Sequence, residues 1–342
     1  MLLERLSNAC GVPGQEDQVR AVLRDALKEH VDEMWTDVMG NLIVRKGQGP
    51  VRVMLDAHMD EVGFLVGEIT EDGFLLLKKI GGLDDRVLPG RAVWVTGQRI
   101  PGVIGAKAFH LTSGAERDRV IPLDEMYVDL GCRSRAEVEA LGVEPGSPVY
   151  FACTFERFSD RVVKGKAFDD RVGCYVVARL LMGPVHPGLT LYGAFTVQEE
   201  VGLRGARVAA YYLNPDLAIA VDGTSSANVA GVKPMETGAN MGEGPVLYPA
   251  EATNAGHQRI FEALARVARE QGLPLQYKRV AAGGTDAGGI AVQRDGIPAC
   301  SLSVPCRYIH SAASLCDLGD VEATIKLIDR FLEGVGKGDF RP

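Results

Sequence analysis

Residues 53–61 read VMLDAHMDE and residues 195–205 read FTVQEEVGLRG. In both stretches apolar side chains lead directly into acidic ones, which is the pattern of a buried strand that ends in a polar loop. Apolar runs of similar length recur along the chain, bounded by turn sequences such as KGQGP. We predict strands within residues 35–45 and at 51–56, 190–197, 216–221 and 299–304.

Helical periodicity separates several of these runs. Apolar residues at 19, 22, 23, 26, 27 and 31 form one helical stripe, with charged residues opposite. Further helices are predicted at 171–182, 205–212, 257–271 and 320–332. Strands that alternate with helices are typical of an α/β fold, so we predict a mostly parallel sheet flanked by helices.

The middle of the chain has a different pattern. Residues 63–158 are rich in glycine, proline and short β-like alternations, and only 135–141 has helical character. Because the alternation of helices and strands stops at residue 63 and resumes after 158, we predict an inserted β-rich domain there. Residues 1–62 and 159–342 would then form the main domain.

Composition limits the classes of partner. The 342 residues carry a formal net charge of −8 without a compensating cluster of lysine or arginine, which argues against nucleic acid and anionic membranes. Glu4 and Arg5 interrupt the position where a secretion signal needs an apolar run, and no stretch has the roughly 18 apolar residues of a membrane span. Seven scattered cysteines without a CxxC pair indicate free thiols. We therefore predict a cytoplasmic protein.

Two of the motifs can be explained by a purely structural role as well as by a functional one. His58 and Asp60 are two residues apart, so they share a face if the strand extends through them. A single histidine after a strand is more often structural than a ligand. Asp169 and Asp170 in KAFDDRVG could act only as the N-cap and first turn of a helix.

The remaining motifs are harder to explain by packing alone. Glu199 and Glu200 are adjacent, so one can bind a metal ion while its neighbour stays free as a base. Asp222 and His310 each follow another apolar run. We interpret the joint occurrence at predicted strand ends as a site for two metal ions. Two histidines and three carboxylates suit zinc or cobalt better than calcium, which prefers oxygen ligands.

The chain resembles the glutamyl or tetrahedral aminopeptidases, a family of co-catalytic metallopeptidases of which some members were once labelled endoglucanases. The motifs that carry the resemblance occur in order along essentially the whole chain: GVPGQEDQVR, DVMGNLIV, AHMDEVGF, GVIG, YVDLG, KAFDDRVG, VQEEVGLRG, VDGT, GGTDA and RYIHS. The main domain would be the catalytic metallopeptidase domain, and 63–158 an accessory domain that supports oligomers.

The resemblance implies two divalent metal ions per subunit, zinc before cobalt. His58 and Asp222 would hold one ion, Glu200 and His310 the other, and Asp169 would bridge both.

The resemblance also implies catalytic and assembly features. Glu199 would be the general base and Asp60 would orient His58, while the Asp169–Asp170 peptide bond tends to be cis in the family. Substrates would be peptides with a free N-terminus, and the subunits would form a homo-oligomer, up to a tetrahedral dodecamer.

Other functions stay open at this point. A deacylase or carboxypeptidase would share the same metal chemistry, and a glycosidase would use paired carboxylates but needs no histidines. A non-catalytic binding protein of the same fold is a further alternative. A preference for acidic substrates would need a basic group near the metal ions, and Arg307 or a residue of the inserted domain is the candidate.

Overall fold

A computed structural model of the chain describes residues 1–184, 186–232, 238–281 and 283–339. Its strands are, in chain order, β1 (Glu33–Thr36), β2 (Leu42–Lys46), β3 (Val51–His58), β4 (Gly63–Ile69), β5 (Phe74–Ile80), β6 (Ala92–Val95), β7 (Ile100–Gly105), β8 (Tyr127–Asp129), β9 (Pro148–Phe151), β10 (Glu156–Arg157), β11 (Val162–Gly165), β12 (Leu189–Thr196), β13 (Leu217–Ser225), β14 (Val246–Leu247), β15 (Gln276–Tyr277), β16 (Ala299–Arg307) and β17 (Ser314–Asp317).

The helices of the same ranges alternate with the strands of the main domain. They are α1 (Leu2–Asn8), α2 (Asp17–Leu27), α3 (Gly114–Arg117), α4 (Arg135–Ala140), α5 (Phe168–Met182), α6 (Arg204–Leu213), α7 (Gln258–Glu270), α8 (Asp286–Ala291) and α9 (Leu318–Lys337). No helix within the described ranges combines the length and apolar character needed to cross a bilayer.

The large sheet has the strand order β1-β2-β12-β3-β13-β16-β17-β11-β10. Its centre, β12-β3-β13-β16, is parallel, and antiparallel strands extend it on both sides. The central strands are almost continuously buried because both of their faces are covered, as expected for parallel sheets. This architecture confirms the predicted α/β class.

Helices cover both faces of the large sheet. On one face the buried side chains of α1, α2, α5, α7 and α9 form the larger core, which includes Leu23, Val176 and Phe331. On the other face α6 and α8 pack small side chains such as Ala206 and Ala287 against the sheet. The sheet is therefore held rigidly between two layers, and its strand ends are fixed in space.

The inserted region forms a closed barrel with the order β4-β5-β8-β7-β6-β9. Its own core, separate from that of the large sheet, contains Phe64, Val128 and Phe151. The short strand Glu156–Arg157 pairs with β11 and so belongs to the large sheet. The domain limits of 63 and 158 stay a prediction.

One condition of the sequence analysis is not met, and two local expectations were wrong. Strand β3 ends at His58, so Asp60 lies beyond it instead of sharing its face. Strand β13 continues to Ser225, which places Asp222 inside the strand. The barrel region also contains the short helix Gly114–Arg117, which is too short for helical periodicity to reveal.

Candidate metal centre

The site lies at the carboxyl ends of the parallel strands. In the register of β3 and β12, His58 pairs with Thr196, so the loop that carries Glu199 and Glu200 starts level with His58. Strand β13 carries Asp222 beside them, and His310 follows β16. Parallel strands deliver their carboxyl ends to one edge of a sheet, where sites of α/β proteins form.

One cluster of possible ligands combines His58, Asp169 and Asp222, whose ligand atoms all lie within 4.8 Å of one another. His58 Nε2 is 3.2 Å from Asp169 Oδ1 and 3.9 Å from Asp222 Oδ1. The side chains of His58 and Asp222 are almost fully buried. Three donors at this spacing could hold one cation.

A second cluster combines Asp169, Glu200 and His310 within the same limit of 4.8 Å. His310 Nε2 is 3.1 Å from Asp169 Oδ2 and 3.4 Å from Glu200 Oε1. The carboxylate of Asp169 therefore offers one oxygen to each histidine. The Asp169–Asp170 peptide bond next to it is cis.

Backbone carbonyls orient both histidines. His58 Nδ1 lies 3.1 Å from the carbonyl oxygen of Asp60, and His310 Nδ1 lies 2.8 Å from that of Gly82. A ring that donates from Nδ1 leaves the Nε2 lone pair free for a metal ion. Because Gly82 belongs to the loop after β5, the inserted region takes part in orienting a histidine of the site.

The side chain of Asp60 holds the loop with the paired glutamates. Its Oδ1 accepts a hydrogen bond from the amide of Glu199 at 3.0 Å, and its Oδ2 accepts one from the amide of Glu200 at 3.1 Å. Asp60 Oδ1 also lies 3.5 Å from His58 Nδ1. One buried carboxylate thus connects a histidine of the first cluster with the glutamate loop, a connection that the sequence did not reveal.

The charges of the site depend strongly on one another. Burial by itself would raise the pKa of Asp169, yet hydrogen bonds from His310 and His58 hold it well below the usual range. Burial would lower the pKa of His310, but Asp169 and Glu200 raise it to about 10. Burial and the charge of Asp169 raise the pKa of Glu200 to about 7. So many acids around two histidines favour the binding of positive charge.

Glu199 belongs to neither cluster, although it faces the same space. Its Oε2 lies 3.9 Å from His58 Nε2, and the side chain is largely buried. Burial is the main reason why the pKa of Glu199 is raised well above its ordinary value; His58 opposes it, and Asp286 and Asp222 add to it. A carboxyl group with a raised pKa can exchange protons near neutral pH.

The residues fit a pair of metal ions. Glu200 Oε1 is buried and accepts no hydrogen bond, although it lies close to His310. A buried carboxylate oxygen without a donor is costly, and a cation at this position would satisfy it. Each cluster also joins one imidazole to carboxylates, a set of donors typical of zinc and related ions.

A cavity of about 680 Å³ opens onto the clusters. Besides Asp222 and both glutamates, its lining includes Thr224, Tyr248 and Lys278, which the sequence analysis did not single out. Arg307 is not among the lining residues, and its Nε donates a hydrogen bond to Asn228 at 3.2 Å. Lys278 follows a strand of only two residues, which is too short to produce a recognisable pattern.

Replacing Gly81 by alanine should weaken the second cluster. Gly81 has a φ of +80°, and an added Cβ would lie 2.8 Å from Val62 Cγ1 and 3.2 Å from Glu200 Oε2. We expect a loss of about 1–2 kcal/mol from the left-handed backbone alone, together with weaker metal binding. Denaturant unfolding and metal titration measure the two effects.

Gly90→Ala is the matched control for that variant. Gly90 has a similar φ of +76°, but nothing lies within 4 Å of an added Cβ. It should show the backbone penalty without a change in metal affinity. Equal metal affinity of both variants would contradict the role assigned to the Gly81–Gly82 loop.

Comparison with known proteins gives the wider context of this site. FrvX of Escherichia coli (strain K12) is 37% identical over 97% of this chain and 94% of its own length. The lysyl aminopeptidase of Pyrococcus furiosus is 34% identical, over 100% of this chain and 99% of its own.

A solved structure extends the comparison. The TET1 peptidase of Pyrococcus horikoshii, described as able to assemble into a tetrahedron or a large octahedral shell, superimposes with a TM-score of 0.87. It is 32% identical, with 97% of this chain and 98% of that chain covered. Residues 40–327 match the M42 glutamyl aminopeptidases. The chain therefore belongs to the M42 glutamyl aminopeptidase family and is a peptide hydrolase.

Proposed function

We propose that this chain is an aminopeptidase that removes N-terminal residues from peptides by a two-metal, water-mediated hydrolysis. The observation that carries the proposal is the carboxylate of Asp169, which lies 3.2 Å from His58 with one oxygen and 3.1 Å from His310 with the other. A carboxylate whose two oxygens each face an imidazole is able to bridge two neighbouring cations.

The proposed ligands are the members of the two clusters. His58 and Asp222 would hold one ion, Glu200 and His310 the second, and Asp169 both. The ions would be zinc or cobalt. When bound, they would polarise the scissile carbonyl and lower the pKa of the attacking water.

Glu199 is the proposed general base. It stands outside both clusters, so its carboxylate stays available for proton transfer. It would accept a proton from the attacking water and then donate it to the amine that leaves. Burial, the main cause of its raised pKa, favours acceptance of the proton from water. Asp60 would keep Glu199 in place through the backbone amide.

Substrate and assembly follow from the comparisons and the charge of the site. Peptides with a free N-terminus fit a cavity lined by Asp169, Glu199, Glu200 and Asp222, because these acids attract an α-ammonium group. The tetrahedron named for the TET1 peptidase supports a homo-oligomer here, proposed as a tetrahedral dodecamer. The cytoplasm is the proposed location, consistent with seven free cysteines.

A pair of substrates tests the proposal. We expect rapid hydrolysis of a panel of aminoacyl anilides, no hydrolysis of their N-acetyl derivatives, and loss of all activity after chelation that zinc or cobalt reverses. Cleavage of the acetylated compounds, or of peptides from the carboxyl end, would favour the deacylase or carboxypeptidase. Cleavage of a β-glucan that resists chelation would instead favour the glycosidase.

A further inference from the structure

Three charged side chains are fully buried next to the metal clusters. Lys166 Nζ donates hydrogen bonds to both carboxylate oxygens of Glu61, at 2.6 and 2.8 Å, and Arg171 Nη2 donates one to Glu61 Oε1 at 3.1 Å. None of the three side chains is more than 3% exposed. We call Glu61, Lys166 and Arg171 the buried charge triad. Because taking charges out of water is costly, apolar side chains of similar volume often stabilise a fold as well as such a triad does. The triad therefore points to a role other than stability.

The position of the triad along the chain suggests that role. Lys166 and Arg171 lie on either side of Asp169, the residue whose carboxylate faces both histidines. Glu61 directly follows Asp60, whose side chain holds the glutamate loop. A small cavity of about 10 Å³ is lined by Glu61, Lys166 and Asp169, among other residues. The triad and the carboxylate that both clusters share are therefore close neighbours in space.

The regular structure of α5 does not by itself hold Asp169 in place. Within the range of α5, Asp169 has a φ of −83° and a ψ of 104°, and Asp170 has a φ of −121° and a ψ of 45°. Just before the helix, Ala167 has a left-handed φ of +53°. The hydrogen bonds of a helix need helical angles at consecutive residues. The position of this segment therefore depends on the contacts at its two ends, which are those of Lys166 and Arg171.

Both cations connect this segment to the loop after α1. Lys166 Nζ donates a hydrogen bond to the carbonyl of Ala9 at 2.7 Å, and Arg171 Nη1 donates one to the same carbonyl at 3.0 Å. The amide of Gly11 donates to Glu61 Oε1 at 3.1 Å, and its carbonyl accepts from the amide of Glu61 at 2.9 Å. Three segments that are far apart in the sequence thus meet at one buried carboxylate.

We propose that the buried charge triad is a positioning device that holds the carboxylate of Asp169 between His58 and His310, so that two metal ions can share it. This inference rests on the proposed two-metal aminopeptidase function. No member of the triad belongs to either cluster, so the triad acts through the backbone on both sides of Asp169. Residues that support a metal ligand in this way typically change metal affinity or activity by about 10- to 100-fold when they are replaced.

Lys166→Met separates positioning from charge balance. Methionine has a similar length and leaves Glu61 and Arg171 as a balanced pair, so we expect the variant to fold. Removing a positive charge close to Asp169 would by Coulomb's law alone strengthen the binding of a cation. Loss of position has the opposite effect, because Glu61 Oε2 loses a donor and the segment loses a contact with Ala9. The sign of the change in metal affinity therefore distinguishes the two roles.

The test is a calorimetric titration of chelator-treated protein with zinc. For Lys166→Met we expect the affinity for both ions to fall by about 10- to 100-fold. On an aminoacyl anilide at saturating zinc, kcat should fall while KM stays unchanged, because the triad does not line the larger cavity. Arg171→Lys keeps the charge but loses the planar fork, so it should also weaken zinc binding.

Lys164→Met is the matched control. Lys164 lies two residues before Lys166, on β11, and its partly exposed side chain pairs with Glu156 at 2.7 Å. The substitution is the same, but it removes a cation outside the triad. Zinc affinity and kcat should therefore equal those of the wild type.

The outcomes separate this inference from the proposed function. Wild-type protein that binds no zinc or hydrolyses no anilide would overturn the two-metal aminopeptidase itself. Unchanged or higher zinc affinity in Lys166→Met, even with a lower thermal midpoint, would overturn only the role of the triad. A loss confined to one ion would also contradict it, because both clusters share Asp169. If Lys166→Met does not fold, Arg171→Lys decides: weaker zinc binding supports the inference, and wild-type affinity contradicts it.

Discussion

Replacement of Glu199 by glutamine should lower kcat by about 10²- to 10⁴-fold, the usual contribution of a general acid or base. Glutamine keeps the size and the hydrogen-bonding ability of the side chain but cannot accept the proton of water. Because Glu199 belongs to neither cluster, the variant should still bind two metal ions. Metal content by elemental analysis and steady-state kinetics on an aminoacyl anilide give both quantities.

A control variant and a stability measurement make this experiment decisive. Glu270→Gln, at an exposed position at the end of α7, changes the same functional group away from the site and should leave kcat unaltered. The thermal midpoint of Glu199→Gln should not fall, since the change removes an ionisable group from a buried position. A variant with near wild-type kcat and full metal content would rule out Glu199 as the base.

Asp169→Asn should abolish activity by removing the ligand that both clusters share. An amide is neutral and cannot offer two anionic oxygens, so both sites lose affinity. We expect fewer than one ion per chain and a fall in kcat/KM of at least about 10³-fold, beyond the 10- to 100-fold typical of residues that only support a ligand. Titration calorimetry with zinc and an activity assay measure these effects.

Glu200→Gln is the informative comparison for this variant. Glu200 belongs only to the second cluster, so its loss should leave the cluster of His58, Asp169 and Asp222 able to hold one ion. Activity should fall in both variants, but the number of bound ions should differ. The same stoichiometry in both would contradict the bridging position of Asp169.

The order of strands explains why much of the site could be predicted. His58, Glu199, Glu200 and His310 follow or end apolar strands, and a parallel sheet necessarily brings those ends together. The resemblance to the glutamyl aminopeptidases then supplied the roles, including that of Asp169, which is the second residue of α5.

Contacts between distant parts of the chain could not be predicted. The carbonyl of Gly82 and His310 are 228 residues apart, and a backbone oxygen has no sequence signature. Asp60 orients His58 mainly through its carbonyl, while its carboxylate binds the glutamate loop. Lys278 likewise reaches the cavity from a short strand, and only the fold places it near Thr224.

The closure of the barrel also could not be predicted from local sequence patterns. Its β-rich composition was evident, but closure depends on the pairing of β4 with β9, strands separated by most of the inserted region. Local patterns also could not fix strand ends such as that of β13, because Thr224 and Ser225 continue the hydrogen bonding of the sheet despite their polar side chains.

Metal reconstitution tests the central claim most directly. Zinc or cobalt would be added in steps to chelator-treated protein, with bound metal and hydrolysis of an aminoacyl anilide measured on the same samples. If two ions share one catalytic site, activity should be absent in the stripped protein and should rise until two equivalents per chain are bound. Full activity in the stripped protein, or saturation of binding below two equivalents, would contradict the two-metal account.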